Sequence, residues 1–119
     1  MNEQAPVGLA STGSGLWAEV VGKYDLRPDE LVTLEDMCRI TDMIAALDAA
    51  WAEQGRPLTT KGSMGQLVTH PLISEIRTHR MARNTLSKQL KLPDESGEKP
   101  NQQRDAARSR WAQAHGQAG

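Results

Sequence analysis

The segment that most resembles a catalytic motif is a glycine-rich loop with one lysine, KGSMG at positions 61–65. Loops of this kind can hold nucleotide phosphates, but the phosphate-binding motif needs GxxxxGK followed by Ser or Thr at the start of a helix. Here Lys61 precedes Gly62, and no helix is expected directly after a Lys-Ser or Lys-Thr pair. The spacing therefore argues against nucleotide hydrolysis and favours a turn.

The remaining residues that could do chemistry are too scattered for a catalytic or metal site. His70 and His79 are nine residues apart, His115 lies far downstream, and Cys38 has no CxxC partner. Zinc sites need closely grouped nitrogen and sulfur ligands, and no Ser, His and Asp spacing suggests nucleophilic catalysis. We predict no enzyme activity, no catalytic residue, no metal and no cofactor. His70 is interpreted as packing or bonding near a helix start, and His79 as part of a mixed surface.

The composition indicates one small helical domain. The chain has 119 residues, nearly balanced charge (14 basic, 15 acidic), three Trp, one Tyr and no Phe. So few rings cannot fill a thick core, and a small domain buries a modest fraction of its surface, so assembly with other copies is expected. A single cysteine excludes an internal disulfide framework. Without a signal-like start or a long apolar run, we expect a soluble intracellular protein with no membrane partner.

Two long helices are the strongest structural signal. In residues 28–54 apolar side chains recur every three or four positions, and a second such pattern covers residues 71–92. Gly55 is the predicted stop of the first helix. Thr69 is the predicted cap of the second helix, with Pro71 in its first turn. A shorter helix is predicted from Leu16 to Tyr24. The following residues are interpreted as core or subunit interface: Trp17, Met37, Ile40, Ile44, Leu47, Trp51, Leu72, Ile76, Leu86 and Leu90.

Between the long helices, two short arms around the glycine-rich turn predict a β-hairpin that packs on the helices or on a neighbouring subunit. The fold class is therefore mainly α: a long antiparallel helical hairpin with a short β-hairpin in the connection, assembling as a ring. We expect a flexible arm at 1–14, a helical-hairpin oligomerisation domain at 15–93, and a polar linker with a basic tail at 94–119.

Charge is strongly divided along the chain. Residues 25–54 carry a net charge of −6, residues 71–92 carry +4, and residues 99–119 carry +3. Two interpretations of the basic helix remain open: a face that is solvated or packed against another subunit, and a surface that contacts DNA phosphates. The DNA candidates are Lys61, Arg77, Arg80, Arg83, Lys88 and Lys91. The tail candidates for binding DNA or a protein partner are Arg104, Arg108 and Arg110, with Trp111 as a protein anchor.

Two quoted stretches carry a family resemblance. They are GLWAEVVGKYDLRPDELVTLEDMCRITDMIAALDAAW at 15–51 and VTHPLISEIRTHRMARNTLSKQLKLPDE at 68–95, with a glycine-containing hairpin between them. Over about 15–94 the chain resembles the small terminase subunits of tailed bacteriophages. Its HPL-x-x-E-x-R motif and its L-x-LP ending are the most specific parts. The family's usual Gly-Leu-x-Pro ending appears here as Lys91-Leu92-Pro93.

The resemblance implies a non-enzymatic DNA-packaging factor in the cytoplasm of the bacterial host. Small terminases form rings of about eight to eleven subunits, bind viral double-stranded DNA at the packaging start site, and recruit and regulate the large terminase, which carries the ATPase and the nuclease. The alternative is a small helical-hairpin adaptor that binds another protein through its charged faces and does not bind DNA.

Overall fold

The computed structural model describes residues 4–93, which form three helices and one two-stranded antiparallel sheet. The helices are α1 (Ser11–Lys23), α2 (Pro28–Glu53) and α3 (Pro71–Leu90), and the strands are β1 (Thr59–Lys61) and β2 (Leu67–Thr69). This confirms a mainly α chain with a short β-hairpin between two long helices. The linker and basic tail predicted for 94–119 lie outside the described residues.

Helix α1 begins at Ser11, five residues before its predicted start, so the prediction of a flexible arm is wrong for 11–14. The physical reason is a cap supplied from α2. The Asp42 carboxylate accepts hydrogen bonds from the backbone N–H groups of Ala10 (2.7 Å) and Gly13 (2.6 Å). Because the first N–H groups of a helix have no partner within it, these bonds satisfy α1 at the end where its own residues supply no side-chain cap.

Both ends of helix α2 are set by residues close to them in the sequence. Pro28 occupies the first turn, and the backbone N–H of Arg27 donates to the Glu30 side chain at 2.9 Å. At the other end Gly55 and Arg56 adopt positive φ angles of 86° and 55°, and the Arg56 N–H donates to the carbonyl oxygen of Trp51 at 2.9 Å. These left-handed residues end the helix, as predicted from the glycine.

The β-hairpin has the predicted turn but not the predicted packing on the helices. Thr60 pairs with Val68 in an antiparallel register, and Gly65 supplies a positive φ of 81° in the turn. Yet Leu67 is 72% exposed and Met64 is 88% exposed, so the hairpin projects from the helices of its own chain. Packing against a neighbouring subunit stays a prediction.

Helix α3 is capped by His70, which corrects the prediction of Thr69 as the cap. The His70 Nδ1 accepts the backbone N–H of Leu72 at 3.1 Å, and its Nε2 lies 2.8 Å from the Gln54 side-chain oxygen. An imidazole nitrogen here takes the place of the usual hydroxyl or carboxylate cap. The helix ends at Leu90 rather than Leu92, because Lys91 adopts a left-handed φ of 55°.

The main core lies where α1 packs on α2 and on the C-terminal end of α3. It centres on Leu34 and Cys38, which are fully buried, and includes Trp17, Val20, Val21, Met37 and Leu90. Among the predicted core residues, five are buried (Trp17, Met37, Ile44, Ile76 and Leu90) and five are half-buried (Ile40, Leu47, Trp51, Leu72 and Leu86). Toward the β-hairpin only α2 and α3 remain, so this part of the molecule is a two-helix hairpin. None of the described helices is long and apolar enough to cross a membrane.

Candidate nucleic-acid interface

The exposed face of α3 carries a row of cations. Successive residues of an α-helix turn by about 100°, so Arg77, Arg80 and Lys88 fall within about 80° of one another around the axis. All three side chains are exposed. From Arg77 to Lys88 the helix rises about 16 Å at 1.5 Å per residue. We call these three residues the basic stripe, a surface long enough to lie along several phosphates of a DNA strand.

The three cations of the basic stripe have few anionic partners among the described residues. Within residues 4–93, Arg77, Arg80 and Lys88 form no ion pair, although Arg80 lies near enough to Asp48 to help hold the pKa of that carboxyl below its usual value. The larger cause of that low pKa is the hydrogen bond from Arg56. Positive charge that is not paired within the chain remains available to an anionic partner.

Three acids of α2 have partners outside α3. Asp48 pairs with Arg56 at 2.6 Å, Glu35 pairs with Arg39 at 2.7 Å, and Asp42 caps α1. In the described part of the chain no salt bridge joins α2 to α3. These ion pairs therefore do not link the two long helices, and Arg80 acts on Asp48 only at longer range.

Arg83 lies apart from the other cations predicted on α3. It occupies the inward face, between Ile76 and Leu90, and is half-buried. Its guanidinium donates to Thr41 Oγ1 across the α2–α3 contact at 3.4 Å. The structure thus separates Arg83 from the basic stripe, with which it was grouped on sequence grounds.

The remaining predicted DNA residues stand at the ends of the stripe. Lys61 is exposed on β1, beyond the N-terminal end of α3, and Lys91 is exposed just after the last helical turn. The tail candidates Arg104, Arg108, Arg110 and Trp111 lie outside the described residues. Lys61 and Lys91 therefore lie outside helix α3, one before it in the chain and one after it.

One polar residue on this face was missed from the sequence. Asn84 is exposed four residues after Arg80 and four before Lys88, so it lies within the basic stripe. Its amide can both donate and accept hydrogen bonds. Projecting the residues of α3 around its axis would have found it, whereas a search for charged residues alone passes over it.

An apolar groove runs beside the N-terminal half of the stripe, with a volume of about 330 Å³. Arg77 and Arg80 form its rim, and its apolar lining consists of Trp51, Ile73, Ile76 and Met81. Trp51 is held in place because its indole N–H donates to the carbonyl oxygen of Pro57 at 2.9 Å and the Arg56 guanidinium lies 5.3 Å from its ring. The groove is therefore a preformed surface where apolar and cationic groups adjoin.

His70, His79 and Cys38 occupy structural positions. His70 joins the end of α2 to the start of α3, and the His79 ring bonds to the carbonyl oxygen of Glu75 in its own helix. Cys38 is fully buried, and burial together with the nearby Asp42 and Glu35 carboxylates raises the pKa of its thiol to about 11. Across residues 4–93 no cluster of His, Cys, Asp or Glu is arranged to hold a metal ion.

Comparison with known proteins found no match for this chain. The chain matches no protein-family model, and no similar curated protein or solved structure was found.

Proposed function

We propose that the chain is the small subunit of a phage terminase. It binds viral double-stranded DNA at the packaging start site and recruits and regulates the large terminase subunit, acting as a homo-oligomeric ring in the cytoplasm of the bacterial host. The observation that carries the DNA-binding part is the basic stripe of Arg77, Arg80 and Lys88, exposed on one face and without ion pairs in the described residues.

The stripe suits phosphate contacts better than it suits a fold-stabilising role. Lysine and arginine contacts to DNA phosphates provide affinity without sequence choice and release counterions as they form. Since each subunit supplies few contacts, repetition in an assembly would raise the overall affinity through multivalency. Two acids of the opposing helix, Glu35 and Asp48, are paired with Arg39 and Arg56 rather than with the stripe.

The experiment that tests this function measures DNA binding and assembly together. Native mass spectrometry of the full chain should give a single species of about eight to eleven copies. Fluorescence anisotropy with labelled double-stranded DNA should give an affinity that falls steeply as salt concentration rises. A monomer that does not bind DNA at low salt would overturn the proposal.

A second candidate function is a protein adaptor without DNA binding. The apolar groove beside Arg77 and Arg80 favours it, since protein interfaces commonly combine an apolar centre with a charged rim. The exposed apolar residues of the hairpin, Leu58, Met64 and Leu67, would widen such a surface.

One pair of substitutions separates the two candidates. Met81 is 62% exposed in the groove lining, while Lys88 lies on the stripe away from the groove. Met81→Ser should leave DNA affinity unchanged under the terminase proposal, and Lys88→Gln should weaken it. If the wild-type chain binds no DNA at low salt, or if Lys88→Gln binds it as tightly as wild type does, the adaptor function is favoured.

A further inference from the structure

A second groove, of about 430 Å³, forms where all three helices meet. Leu16 from α1 and Met37 from α2 give it apolar walls. Its polar lining comes from all three helices: Thr12, Glu19, Thr41, Arg83, Asn84 and Ser87. The groove is therefore mixed in character, and Arg83 is its only cation within the described part of the chain.

Arg83 is under-satisfied in this groove. A guanidinium carries five N–H donors, but the one partner of Arg83 among residues 4–93 is Thr41 Oγ1, at 3.4 Å. The Thr41 hydroxyl donates its own hydrogen to the Met37 carbonyl oxygen at 2.8 Å, so its lone pairs face the guanidinium. Thr41 thus orients Arg83 without neutralising it. A half-buried charge without a counter-ion is unfavourable, and a carboxylate would satisfy it with two parallel hydrogen bonds.

Glu19 limits the negative charge of any ligand that binds to Arg83. This carboxylate also lines the groove, and it pairs with Lys23 at 3.5 Å, which offsets part of its charge. A doubly charged phosphate would be repelled by Glu19, whereas a single carboxylate held at the Arg83 end would be repelled less. The apolar walls from Leu16 and Met37 suit the short carbon chain that carries such a carboxylate.

We propose that this groove binds one carboxylate group, on Arg83, with the carbon chain of the ligand against Leu16 and Met37. Ser87 and Asn84 provide neutral donors for the remaining lone pairs of the carboxylate. The carboxylate belongs either to a free small monocarboxylic acid or to an acidic side chain of a second copy of this chain. The site shares Asn84 with the exposed face of α3 but uses none of the three cations of the basic stripe, so it does not rest on DNA binding.

The test uses sodium propionate, compared with sodium chloride at equal ionic strength, on the wild-type chain, Arg83→Gln and the stripe variant Arg77→Gln. If a free acid binds, propionate raises the Tm of wild type and Arg77→Gln saturably, and has no such effect on Arg83→Gln. If a second copy supplies the carboxylate, propionate has little effect. Native mass spectrometry then shows fewer copies for folded Arg83→Gln than for wild type or Arg77→Gln.

The proposal is overturned if Arg83→Gln is folded and matches wild type in both its propionate response and its assembly. Should Arg83→Gln fail to fold, Arg83→Lys takes its place, since it keeps the charge but loses the two-pronged donor geometry. A partial loss of the same responses is then expected, and an unchanged response overturns the proposal. Its DNA affinity should remain at the wild-type level, so failure of this site and failure of DNA binding are distinguishable.

Discussion

The carboxylate of Asp42 accepts the backbone N–H of Gly13 at 2.6 Å, which joins the middle of α2 to the first turn of α1. The contact needs glycine at position 13, because a Cβ built there would lie 2.7 Å from the Cys38 carbonyl oxygen as well as against the Asp42 side chain. Helix α1 thus reaches α2 closely enough for a residue 29 positions away to cap it. This contact fixes α1 on the core.

Replacing Asp42 should loosen α1 more than it affects the rest of the fold. Asp42→Ala removes both hydrogen bonds to the start of α1, and the loss of a helix cap costs about 1 to 2 kcal/mol of unfolding free energy. Asp42→Asn keeps one acceptor oxygen and should lose less. Urea denaturation measures both values. Equal stability of wild type and Asp42→Ala would contradict the capping role.

Substituting Gly13 tests the close approach of the two helices. Gly13→Ala should lower the free energy of unfolding by about 1 to 3 kcal/mol, because the added methyl group forces α1 away from Cys38 and Asp42. Gly15→Ala is the matched control in the same helix, since nothing lies within reach of a Cβ there. That control should be neutral or slightly stabilising. Denaturation curves that show both variants alike would argue against the tight contact.

The buried thiol of Cys38 should make stability fall in alkaline solution. Its pKa is raised from 9.0 to about 11, mainly by burial, so the thiol stays protonated to a higher pH in the folded state than in the unfolded state. This contribution is fully present below pH 9 and is lost as the pH rises toward 11, by about 2 to 3 kcal/mol at 1.36 kcal/mol per unit.

The measurement for Cys38 is urea denaturation of wild type and Cys38→Ala from pH 8 to 11. The variant should be less stable at pH 8, because a cavity replaces the sulfur. Its stability should then fall less steeply between pH 9 and 11 than that of wild type. Parallel pH profiles for the two proteins would show that the thiol does not titrate as described.

His70 should stabilise the junction of the β-hairpin and α3. His70→Ala removes the cap on Leu72 and the bond to Gln54, and should cost about 1 to 2 kcal/mol. His70→Asn offers a cap oxygen and should recover part of the loss. Gln54→Ala, which breaks only the second bond, should cost less than His70→Ala. If His70→Ala is as stable as wild type, the imidazole is not the cap.

The regular elements were predictable because their signals are local. The three- and four-residue spacing of apolar side chains located α2 and α3, and the glycines at 55 and 65 marked a helix end and a turn. The start of α1 was not predictable in this way, since its cap comes from Asp42 on another helix. The cap of α3 was misassigned because imidazole is an uncommon capping group.

The residues of the candidate site could be predicted from the sequence, but their arrangement around helix α3 could not. The basic residues of α3 were all found, yet periodicity alone did not show that Arg83 turns toward Thr41 while Arg77, Arg80 and Lys88 face outward. Direction depends on which face α2 covers, and that is a tertiary property. Once the covered face of α3 is known, Asn84 is seen to lie on the exposed face.

The central claim is that the basic stripe contacts DNA phosphates, and its most direct test is the salt dependence of DNA binding. The triple variant Arg77→Gln, Arg80→Gln, Lys88→Gln is compared with wild type. Arg27→Gln is the control, since its side chain pairs with Asp29 and Glu30 at the start of α2 and its capping N–H belongs to the backbone. Anisotropy titrations of labelled double-stranded DNA give log Kd against log salt concentration for each protein.

Each lost phosphate contact lowers the steepness of that line by about 1, so the triple variant should be flatter by about 3 for every subunit in contact with DNA. It should also bind more weakly at low salt, while its assembly mass stays that of wild type and Arg27→Gln keeps the wild-type slope. A triple variant with the wild-type slope and affinity would contradict the account.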